Sequence, residues 1–537
     1  MHRALCLLIA GSLTCPWLPA QENPLDTVGR IKIEAFRNSK VMEQLSFLTD
    51  LYGPRLTGSP EFAQAADWAV SRLKEYGLSN AHTEKWGPFG RSWSVESYNI
   101  EMISPRYSHL TAAPLAWSAS SHGIETGEAF YAPFESEGSF FDIARNREAF
   151  QKYEAKWKGK LRGKVVLVSE PHPLKPSTRV NFRRYTEADL AEFAQAPEPF
   201  KLPAQSLDDI KMPADPEEAG KIVSHLPVSM VYQLYDRYEA FNDEQGRFFA
   251  DEGAAAVIRA DDRAHNGLVF AEAAGPHVSK DPLAPPTFVL PEEQYSRLTR
   301  LIESKHVPVL RLNLSAKSSD TDVDGMNIIG EIRGETKPDE VVMIGAHFDS
   351  WHSGTGATDN GAGSAVMIEV MRILKAAHIR LNRTVRIGLW SGEEQGLYGS
   401  RAYTKAHFGP EKDKFDVYLN LDNGSGKIRG VWLQGNDAAR PLFEAAFQPF
   451  RDMGVTTLTL RDTSGTDHMS FDDVGLPGFQ FIQDPLDYGS ITHHSAADTY
   501  SHAVPEDLMQ AAAVIASLVS DFANQEKAFP RKPAGGQ

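Results

Sequence analysis

The sequence predicts an α/β fold in which helices flank a central, mostly parallel mixed sheet, with a β-rich domain inserted into it. From about residue 317 onward, apolar strand segments alternate with helical segments, and this alternation is typical of a largely parallel sheet. The strand segments are Val341–Ala346, Val385–Trp390, Val417–Leu421 and Gly478–Ile482. The helical segments lie at about 361–377, 400–407, 438–452 and 505–524. Residues 124–316 do not follow this alternating pattern, and we predict that they form the inserted domain.

The first twenty residues have the features of a secretory signal peptide. One Arg is followed by a short apolar run and by a small residue, Ala20, near which we expect cleavage. The expected location is therefore secreted or periplasmic. A lipoprotein signal at Cys15 is a weaker alternative, because the residues on either side of it do not fit one. Both cysteines, Cys6 and Cys15, lie in this segment, so cleavage would leave no thiol for disulfides or for metal binding.

An amphipathic helix is predicted at 61–76, ahead of the inserted domain. Its apolar residues recur at three- and four-residue steps, and Gly77 follows them as a helix end. A strand is predicted at Asn99–Ile103. We therefore assign 36–123 and 317–525 to one domain, called the main domain below.

The inserted domain, residues 124–316, contains one clear strand at Lys164–Ser169 and a helix-to-strand unit at Phe248–Ala260. Residues 171–246 within it are rich in Pro, Lys, Glu and Asp, and we interpret them as an extra insertion of helical hairpins and loops. No catalytic constellation is visible there. The Pro- and Gly-containing tail, 526–537, is predicted to be disordered.

The composition excludes several classes of protein. Apolar residues make up 42% of the 537 residues and charged residues 23%, so the chain can form a folded core. There are 71 acidic and 55 basic residues, and the formal charge is −16. Because binding to nucleic acid requires a basic surface, we expect no nucleic-acid partner. Outside the signal no stretch reaches the length of a membrane span, so none is expected.

Acidic and histidine side chains follow each of the four strands of the main domain. They are His347 and Asp349 after the first strand, Glu393 and Glu394 after the second, Asp422 after the third, and His493 and His494 after the fourth. Asp359 lies in a Gly-rich loop just before a helix. Sites of open α/β sheets form outside the carboxyl ends of the strands, so these side chains are expected to converge.

His, Asp and Glu without Cys suit a divalent metal such as zinc. A lone residue of this kind is more often structural, and an Asp before a helix is usually an N-cap, as we expect for Asp437. That interpretation does not explain why four strands carry polar residues at the same end. There are more candidate ligands than one ion can use, namely His347, Asp359, Glu394, Asp422 and His494. If one carboxylate bridges, these five supply three ligands to each of two metals. Glu393 is then left to accept a proton from water.

These residues lie in motifs that resemble those of the co-catalytic dizinc exopeptidases, which include bacterial leucyl aminopeptidases, glutamate carboxypeptidase and carboxypeptidase Q. The motifs are GAHFDSW at 345–351, ATDNGAG at 357–363, SGEEQGLYGS at 391–400, LNLDNG at 419–424, GTDHMSF at 465–471 and HHSAADT at 493–499. GPRLTGS at 53–59 is similar to the start of the carboxypeptidase Q subgroup, and the inserted domain resembles its protease-associated domain. The resemblance covers most of 36–525 but not 171–246.

The resemblance implies a zinc-exopeptidase fold and two co-catalytic zinc ions. It implies that Asp359 bridges the ions, that His347 and Asp422 complete one site, and that Glu394 and His494 complete the other.

The remaining site residues are also assigned by resemblance. Glu393 is the implied general base, and Asp349 would orient His347. His493, His468 and Asp498 are candidates for contact with substrate or for support of the ligands. His468 departs from the carboxypeptidase Q pattern, although many aminopeptidases have a His there.

The sequence thus predicts a secreted zinc exopeptidase that hydrolyses short peptides or dipeptides, and the carboxypeptidase Q resemblance implies a homodimer. An aminopeptidase needs an acid for the free amine and a carboxypeptidase a cation for the free carboxylate, and the sequence does not choose between them. A glutaminyl cyclase with one catalytic zinc is a further alternative. A non-catalytic binding protein on the same fold would be expected to have lost ligands.

Overall fold

The computed structural model describes residues 24–532, except 138, 140, 174–179, 196–201, 203–205, 214, 215, 262, 264, 265, 410 and 411. The signal predicted at residues 1–20 lies outside the described residues. Among the helices of the described part of the chain, none combines the length and the apolar character needed to cross a membrane.

The described part of the chain contains helices distributed along its whole length. They are α1 (Pro24–Arg37), α2 (Val41–Ser46), α3 (Pro60–Glu75), α4 (Ile143–Trp157), α5 (Glu187–Ala194), α6 (Pro216–Val223), α7 (Val228–Glu252), α8 (Glu292–Glu303), α9 (Ala362–Ala376), α10 (Tyr398–His407), α11 (Arg440–Phe447), α12 (His468–Asp473) and α13 (Pro505–Asn524). The strands are β1 (Ser79–Ser104), β2 (Ser108–His109), β3 (Ala113–Pro114), β4 (Glu125–Tyr131), β5 (Val165–Leu167), β6 (Ala256–Ala260), β7 (Thr287–Leu290), β8 (Val309–Ile332), β9 (Lys337–His347), β10 (Arg383–Trp390), β11 (Phe415–Asn420), β12 (Ile428–Trp432), β13 (Thr457–Thr459) and β14 (Gly478–Gln483).

The central sheet of the main domain has the strand order β13-β12-β14-β11-β9-β10-β8. Strands β14, β11, β9 and β10 run parallel to their neighbours within this group. β12 joins β14 antiparallel, and β8 joins β10 antiparallel. The α/β fold with a mostly parallel central sheet is therefore confirmed, and β9, β10, β11 and β14 correspond to the four strands predicted from the sequence.

Both faces of this sheet are covered, which explains why its strands are continuously apolar. Along β9, Val342 and Ile344 pack with the helices α3, α9, α11 and α13 on one face. The alternate residue Met343 packs on the other face with Tyr403 and Phe471, from α10 and α12. Because successive strand side chains point to opposite faces, a strand buried on both sides needs apolar residues at every position.

Strands β1 and β8 form a long antiparallel pair that extends from the main domain into the inserted domain. The carboxyl end of β8 pairs with β10, and its amino end pairs with β4. The predicted boundary at 316/317 therefore falls within β8, and one hydrogen-bonded sheet continues across it.

The inserted domain is less β-rich than predicted, and this expectation needs correction. Its sheet has the order β4-β5-β6-β7, in which neighbouring strands are parallel, and β3, which precedes the predicted boundary, joins β7 antiparallel. These strands are short, whereas five helices, α4 to α8, lie in the same stretch. The helices predicted within 171–246 account for much of the difference, because α5, α6 and most of α7 form there. Helix α7 is 25 residues long and ends at Glu252, and the next residue, Gly253, has a φ of +68°, which favours glycine.

The tail 526–537 was predicted to be disordered, but its described part, which ends at Lys532, is ordered. The Phe529 side chain is buried in the main core, and its backbone N–H donates to Oδ1 of Asp416 at 2.7 Å. The Lys532 ammonium lies 2.6 Å from Oδ1 of Asp472. One aromatic anchor thus holds a segment whose Pro and Gly content suggests disorder.

Candidate metal and active site

The loops after β9 and β11 bring three predicted ligands together in one buried cluster. Nε2 of His347 lies 3.2 Å from Oδ1 of Asp359 and 3.3 Å from Oδ1 of Asp422. All three side chains are buried, and their ligand atoms are close enough to hold a single ion. This is the set that the sequence assigns to one of the two metals.

A second cluster shares Asp359 with the first. Nε2 of His494 lies 3.0 Å from Oε2 of Glu394 and 3.5 Å from Oδ2 of Asp359. Nε2 of His493 is 3.9 Å from the same Asp359 oxygen, so His493 is also close enough to be a ligand of an ion in this second cluster. One oxygen of Asp359 faces His347 and the other faces His494, which is the arrangement expected of a bridging carboxylate.

These donors fit divalent cations. The buried Asp359 Oδ2 and Asp422 Oδ1 have no hydrogen-bond partner among the described residues. Unpaired buried carboxylate oxygens are costly, and a cation would satisfy them. A small, partly open pocket is lined by Asp359, Glu394 and His494, among others. Imidazole and carboxylate donors without thiolates suit zinc.

Asp498 holds the loop that carries Asp359. Its carboxylate accepts from the Thr358 N–H at 2.7 Å, the Thr358 hydroxyl at 2.8 Å and the Asp359 N–H at 3.1 Å. Burial, together with the nearby negative charge of Asp359, raises the pKa of Asp498 to about 7. Of the two roles that the sequence leaves open for Asp498, these contacts favour support of a ligand over contact with substrate.

The imidazole of His347 is held from its far side by Asp349. Nδ1 of His347 lies 3.1 Å from the backbone carbonyl oxygen of Asp349 and 3.5 Å from its Oδ1. Oδ2 of Asp349 accepts from the hydroxyl of Thr57 at 2.8 Å. These contacts on Nδ1 direct Nε2 toward the cluster. Hydrogen bonds of this kind, from residues that do not bind the metal themselves, orient metal-binding histidines in proteins.

Glu393 lies beside the first cluster without being one of its closest members. Its Oε2 is 4.0 Å from Nε2 of His347, and its side chain is buried. Burial raises the pKa of Glu393 well above its ordinary value, and the charge of Asp422 adds to this while that of His347 opposes it. A carboxylate with a raised proton affinity, next to this cluster of candidate metal ligands, is suited to take a proton from water.

His468 is placed away from the cluster. Its ring is fully buried, and its Nε2 lies 2.7 Å from Nε2 of Gln434 and 3.1 Å from the carbonyl oxygen of Thr463. These contacts favour a structural position over the substrate contact considered from the sequence. The neighbouring Asp467 is also fully buried, and neither of its oxygens has a hydrogen-bond partner among the described residues.

Two residues that contact the site, Tyr488 and Glu272, were not predicted from the sequence. The hydroxyl of Tyr488 donates to Oδ1 of Asp359 at 3.1 Å. Nδ1 of His494 lies 2.8 Å from Oε1 of Glu272, a residue of the inserted domain. Glu272 stands in no motif and is 222 residues from His494, so no local signal could have identified it.

Residues 327–519 match the family model described as Peptidase family M28. Carboxypeptidase Q of Rattus norvegicus is 25% identical to this chain over 489 residues, which cover 91% of this chain and 86% of that protein. Leupeptin-inactivating enzyme 1 of Streptomyces exfoliatus is 34% identical over 155 residues, which cover 28% of this chain and 34% of that protein.

Two solved structures share the fold over nearly the whole chain. A peptidase M28 precursor from Shewanella amazonensis superposes with a TM-score of 0.64 at 22% identity, covering 95% of this chain and 99% of that one. A zinc aminopeptidase from Bacillus subtilis superposes with a TM-score of 0.54 at 19% identity, covering 90% and 95% respectively.

Proposed function

We propose that this chain, whose residues 327–519 match Peptidase family M28, is a two-zinc exopeptidase that hydrolyses short peptides or dipeptides. One observation carries the proposal of two ions. The two oxygens of Asp359 face different histidines, His347 at 3.2 Å and His494 at 3.5 Å. A carboxylate in that position can serve two ions at once, and each histidine has a further acid beside it.

In this proposal His347, Asp422 and Asp359 hold one zinc, and Glu394, His494 and Asp359 hold the other. Bound zinc would supply a Lewis acid that polarises the scissile carbonyl and lowers the pKa of a water molecule.

Glu393 does the proton transfer in this scheme. It accepts a proton from the water as the water oxygen attacks the carbonyl carbon, and it delivers that proton to the nitrogen as the C–N bond breaks. The loss of one proton by water is thus balanced by the gain of one proton by the leaving amine.

Helix α7 supports the preference for short substrates. The hydroxyl of Tyr232 lies 3.2 Å from Oγ of Ser470, and the Arg401 guanidinium lies 4.3 Å from the centre of the Tyr232 ring. Farther along α7, Glu239 accepts a hydrogen bond from Tyr398. The helix is therefore fixed against α10 and α12, close to the loop that carries Glu393, where it would restrict the length of a bound peptide.

The similarity to carboxypeptidase Q, which covers 91% of this chain, favours a dipeptidase or carboxypeptidase activity, and the name of the Bacillus neighbour keeps an aminopeptidase as the alternative. The test is a panel of dipeptides and longer peptides, with either the amine or the carboxylate blocked, assayed on protein of known zinc content. Two zinc ions per chain and cleavage that requires one free terminus would support the proposal. One zinc per chain, or cleavage of doubly blocked peptides, would contradict it. Export and a homodimer remain proposals from the sequence.

A further inference from the structure

A short segment of the inserted domain pairs with the loop that carries His494. Phe270 and Ser495 form an antiparallel bridge. The N–H of Ala496 donates to the carbonyl oxygen of Val269 at 2.8 Å, and the N–H of Ala271 donates to that of His494 at 3.4 Å. The backbone on both sides of His494 is thus hydrogen-bonded to residues 269–271, which lie in the inserted domain.

The next residue of this segment, Glu272, contacts the His494 side chain. Its Oε1 lies 2.8 Å from Nδ1 of His494 and can accept a hydrogen bond from the N–H there. With the proton on Nδ1, the lone pair of Nε2 is directed at Glu394 and Asp359. The ring therefore has the tautomer and the direction that a metal ligand needs.

Glu272 is itself held in place by Arg263. Nη2 of Arg263 lies 3.3 Å from Oε1 of Glu272 and 2.7 Å from Oδ2 of Asp261. The Arg263 guanidinium also lies 4.6 Å from the centre of the Phe270 ring. These contacts bind the carboxylate to the inserted domain rather than to the main domain.

The two proposed metal sites differ in which part of the chain orients their histidine. His347 is oriented by Asp349, two residues away in the same loop. His494 is oriented by Glu272, 222 residues away in another part of the fold. One cluster is thus complete within the main domain, whereas the other depends on the inserted domain.

We propose that Glu272 is a positioning residue that makes the zinc affinity of the His494 site depend on the inserted domain. This inference rests on the proposed function, because it assumes two zinc ions. Since removing the partner of a metal-binding His typically weakens metal affinity about 10- to 100-fold, one of the two ions should be lost selectively when Glu272 is changed.

The test compares E272A and E272Q with wild-type protein by titrating the metal-free enzymes with zinc against a chromophoric chelator. We expect E272A to bind one zinc with wild-type affinity and the other about 10- to 100-fold more weakly. In E272Q the amide oxygen can still accept the Nδ1 hydrogen, so its second affinity should lie between those of E272A and wild type. E303Q, which changes an exposed acid on α8, is the matched control and should bind as wild type does.

Each outcome bears on the inference. Two unchanged affinities in E272A, or an equal loss at both sites, would overturn it. If E272A does not fold, the nearly isosteric E272Q decides, because unchanged affinities there together with an unaltered far-UV spectrum would also overturn it. A wild-type protein that binds only one zinc would instead contradict the proposed function, so the two failures are distinguishable.

Discussion

The hydroxyl of Thr57 donates to Oδ2 of Asp349 at 2.8 Å, although 292 residues separate the two. The hydroxyl oxygen of Thr57 in turn accepts from the backbone N–H of Gly392, also at 2.8 Å. Thr57 therefore joins the residue that orients His347 to the turn immediately before Glu393. A segment far from the metal-binding motifs thus aligns two parts of the site.

Replacing Thr57 by Val should destabilise the protein and lower kcat. The change preserves shape but leaves the Asp349 oxygen and the Gly392 N–H without a partner in a buried place. Since a buried unsatisfied group costs about 1–3 kcal/mol, we expect a loss of about 2 kcal/mol in the free energy of unfolding, measured with urea. Thr57→Ser retains the hydroxyl and is the control. Equal stability of the two variants would contradict this role of the hydroxyl.

Glu393→Gln should abolish turnover while zinc is retained. The amide cannot accept the proton of water, and proton transfer of this kind contributes about 10²- to 10⁴-fold to rate. We therefore expect kcat to fall by about three orders of magnitude, with zinc content measured on the same sample. Glu394→Gln is the matched control, because it removes a proposed ligand and should lose zinc. Full activity of Glu393→Gln would exclude Glu393 as the base.

Asp359→Asn should affect both metal sites, whereas Asp422→Asn should affect one. Asp359 faces both His347 and His494, while Asp422 approaches His347. An amide has one good ligand oxygen and no charge, so a bridging position suffers more from this change than a terminal one. Zinc titration should show two weakened affinities in the first variant and one in the second. The same loss in both variants would contradict the bridging assignment.

Removal of zinc by a chelator should abolish peptide hydrolysis, and added zinc should restore it. The acids of the cluster would then repel one another without a compensating cation, so we also expect a lower melting temperature for the metal-free protein. Calorimetry with and without zinc measures this directly. Hydrolysis that persists in protein shown to contain no zinc would refute the metal-dependent scheme.

Glu239 should make stability depend on pH. Burial raises the pKa of Glu239 to about 7, and the charges of Asp243 and Asp236 add to this. Between the ordinary pKa of Glu and this value, the folded state binds more protons than the unfolded state, so stability falls as pH rises. The Glu239→Gln variant has no carboxyl group at this position, so it does not undergo this loss of stability as the pH rises. Its free energy of unfolding relative to wild type should therefore rise by about 2 kcal/mol between pH 5 and pH 8.

The measurement for Glu239 is urea unfolding of both proteins at several pH values. Glu187→Gln, which removes a highly exposed acid on α5 that interacts with Arg429, serves as the comparison for the loss of one acidic side chain. A difference between Glu239→Gln and wild type that stays constant with pH would show that Glu239 ionises normally in the folded protein.

The central strands were predictable because they are buried on both faces, which leaves continuous apolar runs. Strand β9 extends only a few residues beyond the predicted Val341–Ala346. The length of β8 was not predictable, because its middle section, including Lys317 and Ser318, is polar and exposed, and is held by pairing with β1 rather than by a core. Pairing between distant segments leaves no local pattern to detect.

The candidate ligands could be identified because each follows a recognisable strand, and parallel strands bring their carboxyl ends to one edge. The surrounding support could not, except where it lies in the same motif, as Asp349 does. GPRLTGS at 53–59 was noted, yet nothing in it indicates that Thr57 reaches Asp349. Glu272 and Tyr488 likewise act through contacts that only the folded chain creates.

The ladder between β1 and β8 has a mechanical consequence. The inserted domain is joined to the main sheet along this ladder, and it is also braced by α7 against α10 and α12 and by residues 269–271 against the loop of His494. A wide swing away from the cleft would break several backbone hydrogen bonds of this ladder, so we expect peptides to enter and leave without a large rotation of the inserted domain. The enzyme should accordingly have the same radius of gyration with and without an inhibitor.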